Sequence, residues 1–211
     1  VRACFYEYPR FTYPWHFHSE YEIIYVEKGE GDCLVGDSII SYSKGDLILF
    51  GSELPHSMQS PPDGGEESDN EEKSEPKVRG VNIQFEKDFM HYSISQYSQF
   101  IPIRNLLEDA CRGIKFTITR SGKIIKLLEQ IPSAKGADQI ILLLSLLQMM
   151  ATSNHKKYLT TSHYTPSPSI MRNERMEKVI AYLNKHYTES IGLDEIASYT
   201  AMNPAAFCRY F

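Results

Sequence analysis

The run WHFHSEYEIIYVEKGEG, residues 15–31, brings His16, His18, Glu20 and Glu22 close together in the chain. Residues of equal parity on a strand share a face, so on an extended strand these four point one way. Ile24 and Val26 continue the same face as apolar residues, which fits a strand looking into a barrel. Far along the chain, GDLILFGSELPHS supplies His56. Three imidazoles and one carboxylate inside a barrel suit a divalent transition metal such as iron, manganese, nickel or zinc. The same groups also serve a small polar ligand by hydrogen bonding, without a metal.

Such a set needs a rigid sheet to hold it. From Phe11 to Phe85 the runs YEIIYV, CLV, SIISY and LILF are separated by Gly29-Glu30-Gly31, Gly36-Asp37 and Gly45-Asp46, and VRGVNIQF follows later. Short strands with turn signals at this density predict an all-β barrel or sandwich. Residues 61–76, PPDGGEESDNEEKSEP, interrupt the pattern with seven acidic side chains against Lys73, a composition that predicts a flexible, solvated loop. That loop carries a net −6 of the chain's −5, leaving +1 for the rest, so overall charge neither announces nor forbids a nucleic-acid partner.

The spacing His16-x-His18, three residues, Glu22, six residues, Gly29 resembles the first motif of the cupin barrels, and Gly45 followed by His56 resembles the second. The resemblance implies that the four positions holding metal in cupin enzymes are filled here. The second motif departs from the pattern, with Gly51 and Glu53 where the family usually has proline and glycine, and Ser60 where it has asparagine. Those departures alter the loop leading to His56. The expectation is therefore an effector pocket lined by His16, His18, Glu22 and His56, with no cofactor and no stoichiometric catalytic metal. If a metal were held, the same four residues would hold it. Tyr8, Tyr13 and Trp15, from the aromatic N-terminal segment, are expected to close over or stack on the ligand.

After Phe85 the period changes. Residues 103–112 predict a helix ended by Gly113, and Ser121 is placed to cap a second helix with Ile124, Leu127, Leu128 and Ile131 on one face. The third predicted helix, 138–152, is apolar nearly all round and must be covered on most sides, by its own domain and by a second subunit. A polar linker containing Pro166 and Pro168 precedes an amphipathic helix, 174–187, with Met176, Val179, Ile180, Leu183 and Tyr187 on one face. The most apolar stretch, 140–151, is too short to span a bilayer. Cys4, Cys33, Cys111 and Cys208 form no Cys-x-x-Cys pair, so reduced thiols in a cytoplasmic protein are expected. The chain begins at Val1 and stops at Phe211 inside an apparent helix, and is read as C-terminally truncated.

The final segment, ESIGLDEIASYTAMNPAAFCRYF, has a helix, a short turn and a second helix start. Ala197 is small where another helix must approach, Asn203 is a good N-cap, and Pro204 suits the first helical position. With the preceding helix, LDEIA and the FxRxF ending resemble the first helix-turn-helix of AraC-type transcription regulators, and HFHSEYEIIYVEKGEG, GDLILFGSELPHS and RGIKF resemble that family's sensor domain. The resemblance implies an α+β protein: a cupin-like effector-sensing barrel at 1–100, a helical dimerisation region at 101–158, a linker at 159–172 and part of an all-α helix-turn-helix domain at 173–211. It implies groove-facing positions at Ala205, Cys208 and Arg209. The function implied is that of a bacterial DNA-binding transcription regulator responding to a small molecule, sugars being the family's best-known ligands. Its expected partners are operator DNA, the effector, a second copy of the chain and RNA polymerase, with no membrane. The opposing reading is a metal-dependent cupin enzyme of the dioxygenase or isomerase type, which leaves residues 174–211 without a purpose.

Overall fold

Alternation along two neighbouring strands sets the layers. On β2 (Tyr21–Lys28) and β7 (Val78–Phe85), Ile23, Val81, Ile83 and Phe85 join one buried apolar cluster, whereas Ile24, Val26 and Val78 join another. Successive strand residues point to opposite faces, so this sheet carries a core on each side. The computed structural model describes residues 1–61, 77–118, 122–165, 174–186 and 190–210. Contacts divide the chain into two compact units, residues 1–13 with 17–166, and residues 14–16 with 167–211.

In the first unit a six-stranded antiparallel sheet runs in the order β1-β7-β2-β5-β8-β9, where β1 is Arg2–Tyr8, β5 Asp46–Phe50, β8 Ile114–Thr117 and β9 Lys156–Tyr158. A smaller antiparallel sheet has the order β4-β3-β6, with β3 Gly31–Val35, β4 Ser38–Tyr42 and β6 His56–Gln59. The inner core lies between the sheets, where Ile24, Val26, Ile48 and Phe50 of the larger meet Cys33, Val35, Tyr42 and Met58 of the smaller. The outer core lies between the larger sheet and four helices: α1 (His91–Gln96), α2 (Ile101–Asp109), α3 (Gly122–Gln130) and α4 (Ala137–Ala151). This is the expected α+β architecture, a cupin-like barrel with appended helices.

Helix α4 buries Leu143, Leu146, Leu147 and Met150, one face at helical spacing, while Ile140 and Ile141 remain exposed. Helix α2 ends in a 3-10 turn over 110–112 and then Gly113, whose φ of +63° is the positive value expected there. Two short strands, β8 and β9, come from the stretch read as helical, too brief to leave a periodic signature. The first linker residues are docked on this unit: Leu159 N–H donates to Gly113 O at 3.0 Å and Thr160 N–H to Arg112 O at 3.1 Å. Residues 62–76 of the acidic loop, Ser121, residues 166–173 and Tyr187 lie outside the described residues.

The second unit contains α5 (Glu174–His186), α6 (Leu193–Tyr199) and α7 (Pro204–Tyr210). Val179, Ile196, Ala197 and Phe207 form its core, with Ala197 fully buried as the helix approach demands. Ala206 N–H donates to Asn203 Oδ1 at 2.8 Å, so Asn203 is the N-cap and Pro204 opens α7. Ala201 turns the chain between α6 and α7 with a φ of +55°. Phe211 and the side chains of Met176, Ile180 and Arg209 lie outside the described residues. Among the described residues no helix is long and apolar enough to cross a membrane.

Candidate functional site

The histidines do not lie on one strand with Glu22, contrary to the parity reading. Regular β2 begins only at Tyr21, and a bend at Ser19–Glu20 separates it from His16 and His18. What fixes His18 is the loop before β6, since Glu53 N–H donates to His18 O at 2.8 Å. His56 opens β6 opposite Val35 of β3, and its ring stacks on Phe50 with centroids 4.1 Å apart and planes 9° apart. Glu22 sits on the inward-facing register of β2, opposite Phe50 on one side and Gln84 on the other.

Three of the four expected residues converge within the first unit: His18 Nε2 and His56 Nε2 both face Glu22 Oε2, at 3.4 and 2.8 Å, whereas His16 is grouped with the second unit. Glu22 and His56 are buried, at 4% and 2% exposure, while His16 and His18 are half-buried. Glu20 takes no part in this set; its Oε2 lies 3.7 Å from His18 Nδ1 and accepts from Ser19 Oγ.

Glu22 carries four donors. Asn82 Nδ2 at 2.6 Å and Gln84 Nε2 at 3.0 Å donate to Oε1, and His56 Nε2 at 2.8 Å and His18 Nε2 at 3.4 Å face Oε2. Burial alone would push the Glu22 carboxyl up, but hydrogen bonds from His18, His56 and Asn82 and the charge of His56 hold it well below the usual carboxylate range. Burial alone would push His18 down, yet its bond to Glu22 and the carboxylate charge hold it above its ordinary value. A carboxylate in this setting is ionised, and the imidazoles of His18 and His56 pair with it.

The other ring nitrogens are sorted too. His16 Nδ1 lies 2.8 Å from Pro14 O, His18 Nδ1 3.1 Å from Glu20 O, and His56 Nδ1 2.8 Å from Leu54 O. A carbonyl only accepts, so each Nδ1 carries a proton. For His18 and His56, Nε2 faces Glu22 Oε2, which also only accepts, so it donates there when no metal is held, and a metal would take the place of that proton. Metal-bound histidines commonly donate the remaining N–H to a backbone carbonyl in this way. The donor set therefore fits a divalent transition metal, which when bound would supply Lewis acidity toward a ligand oxygen.

The departures in the second motif have local causes. A Cβ at Gly51 would come within 2.5 Å of Ala110 O and 2.6 Å of Ala110 C, so the 3-10 turn over 110–112 excludes any side chain there, proline included. Glu53 takes a φ of +63°, the left-handed conformation for which glycine is the easy choice. The loop keeps its path, and His56 still reaches the cluster.

The aromatic expectations fare differently. Tyr8 stacks on Tyr6, with centroids 5.8 Å apart, and tilts against Phe11, so its ring joins an aromatic cluster. Tyr8 and Tyr13 are exposed and Trp15 is half-buried. In the second unit Ala205 and Cys208 are exposed on α7. Asn82 and Gln84 went unnoticed in the sequence, although VRGVNIQF alternates them with Val81, Ile83 and Phe85. Two amides on the polar face of an otherwise apolar strand were the available signal.

Residues 1–69 match the family model of the AraC-like ligand binding domain. The chain is 23% identical over 208 residues to an uncharacterised HTH-type transcriptional regulator, YbfI, of Bacillus subtilis (strain 168), covering 94% of this chain and 65% of that protein. It thus spans a little under two-thirds of the length of this curated relative. Among solved structures, unsaturated fatty acid bound ToxT of Vibrio cholerae strain SCE256 is similar at a TM-score of 0.43 and 15% identity, covering 99% of this chain and 71% of that one. The AraC-like transcriptional activator CuxR is similar at 0.42 and 5% identity, covering 92% and 61%.

Proposed function

We propose, from the match of residues 1–69 to the AraC-like ligand binding domain and the likeness to an HTH-type regulator, that this chain is an AraC-type regulator of the bacterial cytoplasm that senses a small molecule in its barrel and binds operator DNA. The observation that carries the sensing half is the polar cluster around Glu22 on the inner face of an otherwise apolar barrel. His18, Glu22 and His56 line the pocket, and Tyr8 and Tyr13 belong to the N-terminal segment of the same unit. The imidazoles, amides and carboxylate supply donors and acceptors together, which suits a small hydroxyl-rich effector, as a sugar is. The barrel binds without turnover, since a regulator needs only a ligand that biases a conformational equilibrium.

Support for the DNA-binding half comes from the capped α7, which exposes Ala205 and Cys208, with Arg209 next in sequence. These three face the major groove, where Arg209 reads guanine or holds a phosphate while the other two contribute close packing. The protein acts as a homodimer through α4, whose exposed Ile140 and Ile141 leave apolar surface for a partner. RNA polymerase is the remaining partner. The metal-dependent enzyme reading draws on the same histidine–glutamate set, but gives the helix-turn-helix unit no role.

Selection of bound fragments from sheared genomic DNA with the complete protein tests this. Enrichment of one sequence class, lost on Arg209→Ala and altered by an effector in wild type but not in Glu22→Gln, is the expected outcome. Recovery of random fragments would sink the reading.

A further inference from the structure

Glu22 is one carboxylate whose donors are divided by oxygen. Both amides, Asn82 Nδ2 and Gln84 Nε2, reach Oε1, and both imidazoles reach Oε2. The division is imposed by the sheet. Asn82 and Gln84 are alternate residues of β7, paired with Ile24 and Glu22 of β2, so all three polar groups stand on one face of two hydrogen-bonded strands. A carboxylate only accepts, so each amide turns its NH2 toward it. A carboxylate oxygen has two in-plane lone pairs, and two amide donors occupy both at Oε1. Oε1 is therefore closed to a cation, and Oε2 is the oxygen offered on the histidine side.

We propose that Asn82 and Gln84 are positioning residues of a divalent transition-metal centre formed by His18, Glu22 and His56, and that they make Glu22 a one-oxygen ligand through Oε2. Neither amide touches the metal. Each fixes the carboxylate plane, as the backbone carbonyls of Glu20 and Leu54 fix the rings of His18 and His56. A single carboxylate oxygen among imidazoles suits the manganese-to-zinc series and disfavours calcium, which takes many oxygens and often a bidentate carboxylate. The centre shares its place with the proposed effector pocket, but its test uses neither effector nor DNA, so either can fail while the other stands.

The test is titration of the chelator-stripped 211-residue chain with Co2+, followed by calorimetry and visible absorption. Wild type is expected to bind about one equivalent, with a Co2+ spectrum that His18→Ala abolishes. Asn82→Leu and Gln84→Met each remove one donor and are expected to weaken Co2+ binding about 10–100-fold, while far-UV circular dichroism of the stripped proteins stays unchanged. If the variants fail to fold, X-ray absorption of wild type decides, with a monodentate carboxylate beside at least two imidazoles as the expected first shell. No Co2+ binding by wild type, undiminished affinity in both folded variants, or a bidentate carboxylate would each overturn the proposal.

Discussion

The two faces of the larger sheet are built from alternate residues of the same strands, yet they differ in kind. On the helix side Ile23, Val81, Ile83 and Phe85 are buried in a continuous apolar core. On the inner side Glu22, Asn82 and Gln84 interrupt an otherwise apolar surface and bring two histidines to one carboxylate. Burying such groups is justified energetically only when every donor and acceptor is matched, and an apolar replacement of the whole set is often as stable. The outer face is explained by folding alone. The inner face asks for a ligand.

The contrast yields its largest effect at Glu22. Glu22→Leu leaves the amides and imidazoles without their acceptor and is expected to cost about 3–5 kcal/mol of stability. On the outer face Ile83→Ala is expected to cost about 2–5 kcal/mol through a cavity. The distinction lies in rescue. The triple change Glu22→Leu, Asn82→Leu, Gln84→Leu should recover part of the loss, because the two amide donors leave with their acceptor and only the imidazoles stay unmatched, whereas no polar substitution rescues the cavity at 83. Urea unfolding of the four proteins checks this, and a triple variant as unstable as Glu22→Leu would remove the contrast.

A smaller effect comes from pH. Glu22 is held below its ordinary value, so its contribution is present above about pH 4.3, the unfolded value, and is lost as pH falls through the lowered folded value. His18 is held above its ordinary value, so its contribution is complete below about pH 6.5 and is lost as pH rises through the raised folded value. In chelator-treated protein the melting temperature of wild type should exceed that of Glu22→Gln by most between these two pH values. A difference that grows steadily toward pH 9 would contradict the pairing.

The smallest effect concerns the loop that delivers His56. Glu53 holds a left-handed conformation that costs about 1–2 kcal/mol in a residue with a Cβ. Part of that returns as unfolded-state entropy when glycine is substituted. Glu53→Gly should therefore raise stability by about 1 kcal/mol, read as a small rise in melting temperature, and a fall would mean that the Glu53 side chain has a role of its own.

Much of this layout was legible in the residues themselves. YEIIYV, LILF and VRGVNIQF became β2, β5 and β7 because apolar runs bounded by Gly-Asp turns have few other solutions. The helix face Ile124, Leu127, Leu128, Ile131 packs as its spacing predicts. Strand β1 was hidden by aromatic residues that read equally well as a pocket lid, and β8 and β9 by their length. Convergence of the histidines was anticipated for a partly mistaken reason. Parity cannot act across the bend at Ser19–Glu20, and a hydrogen bond from Glu53, remote in sequence, does the positioning. The expectation of no metal rested on Gly51 and Glu53 and on the helix-turn-helix segment downstream; backbone geometry accounts for the first two without displacing His56. Asn82 and Gln84 needed the pairing of β7 with β2 before their purpose could be seen.

The most direct test of the inner face as the binding site is a thermal-shift comparison of wild type, Ile83→Ala and the triple leucine variant over one panel of neutral sugars, polyols and divalent metal salts. A ligand that binds only the native state must raise its melting temperature. The expected result is a compound that stabilises wild type and Ile83→Ala to the same extent and leaves the triple variant unmoved. A compound that stabilises the triple variant as strongly as wild type would place the binding site elsewhere and contradict the account.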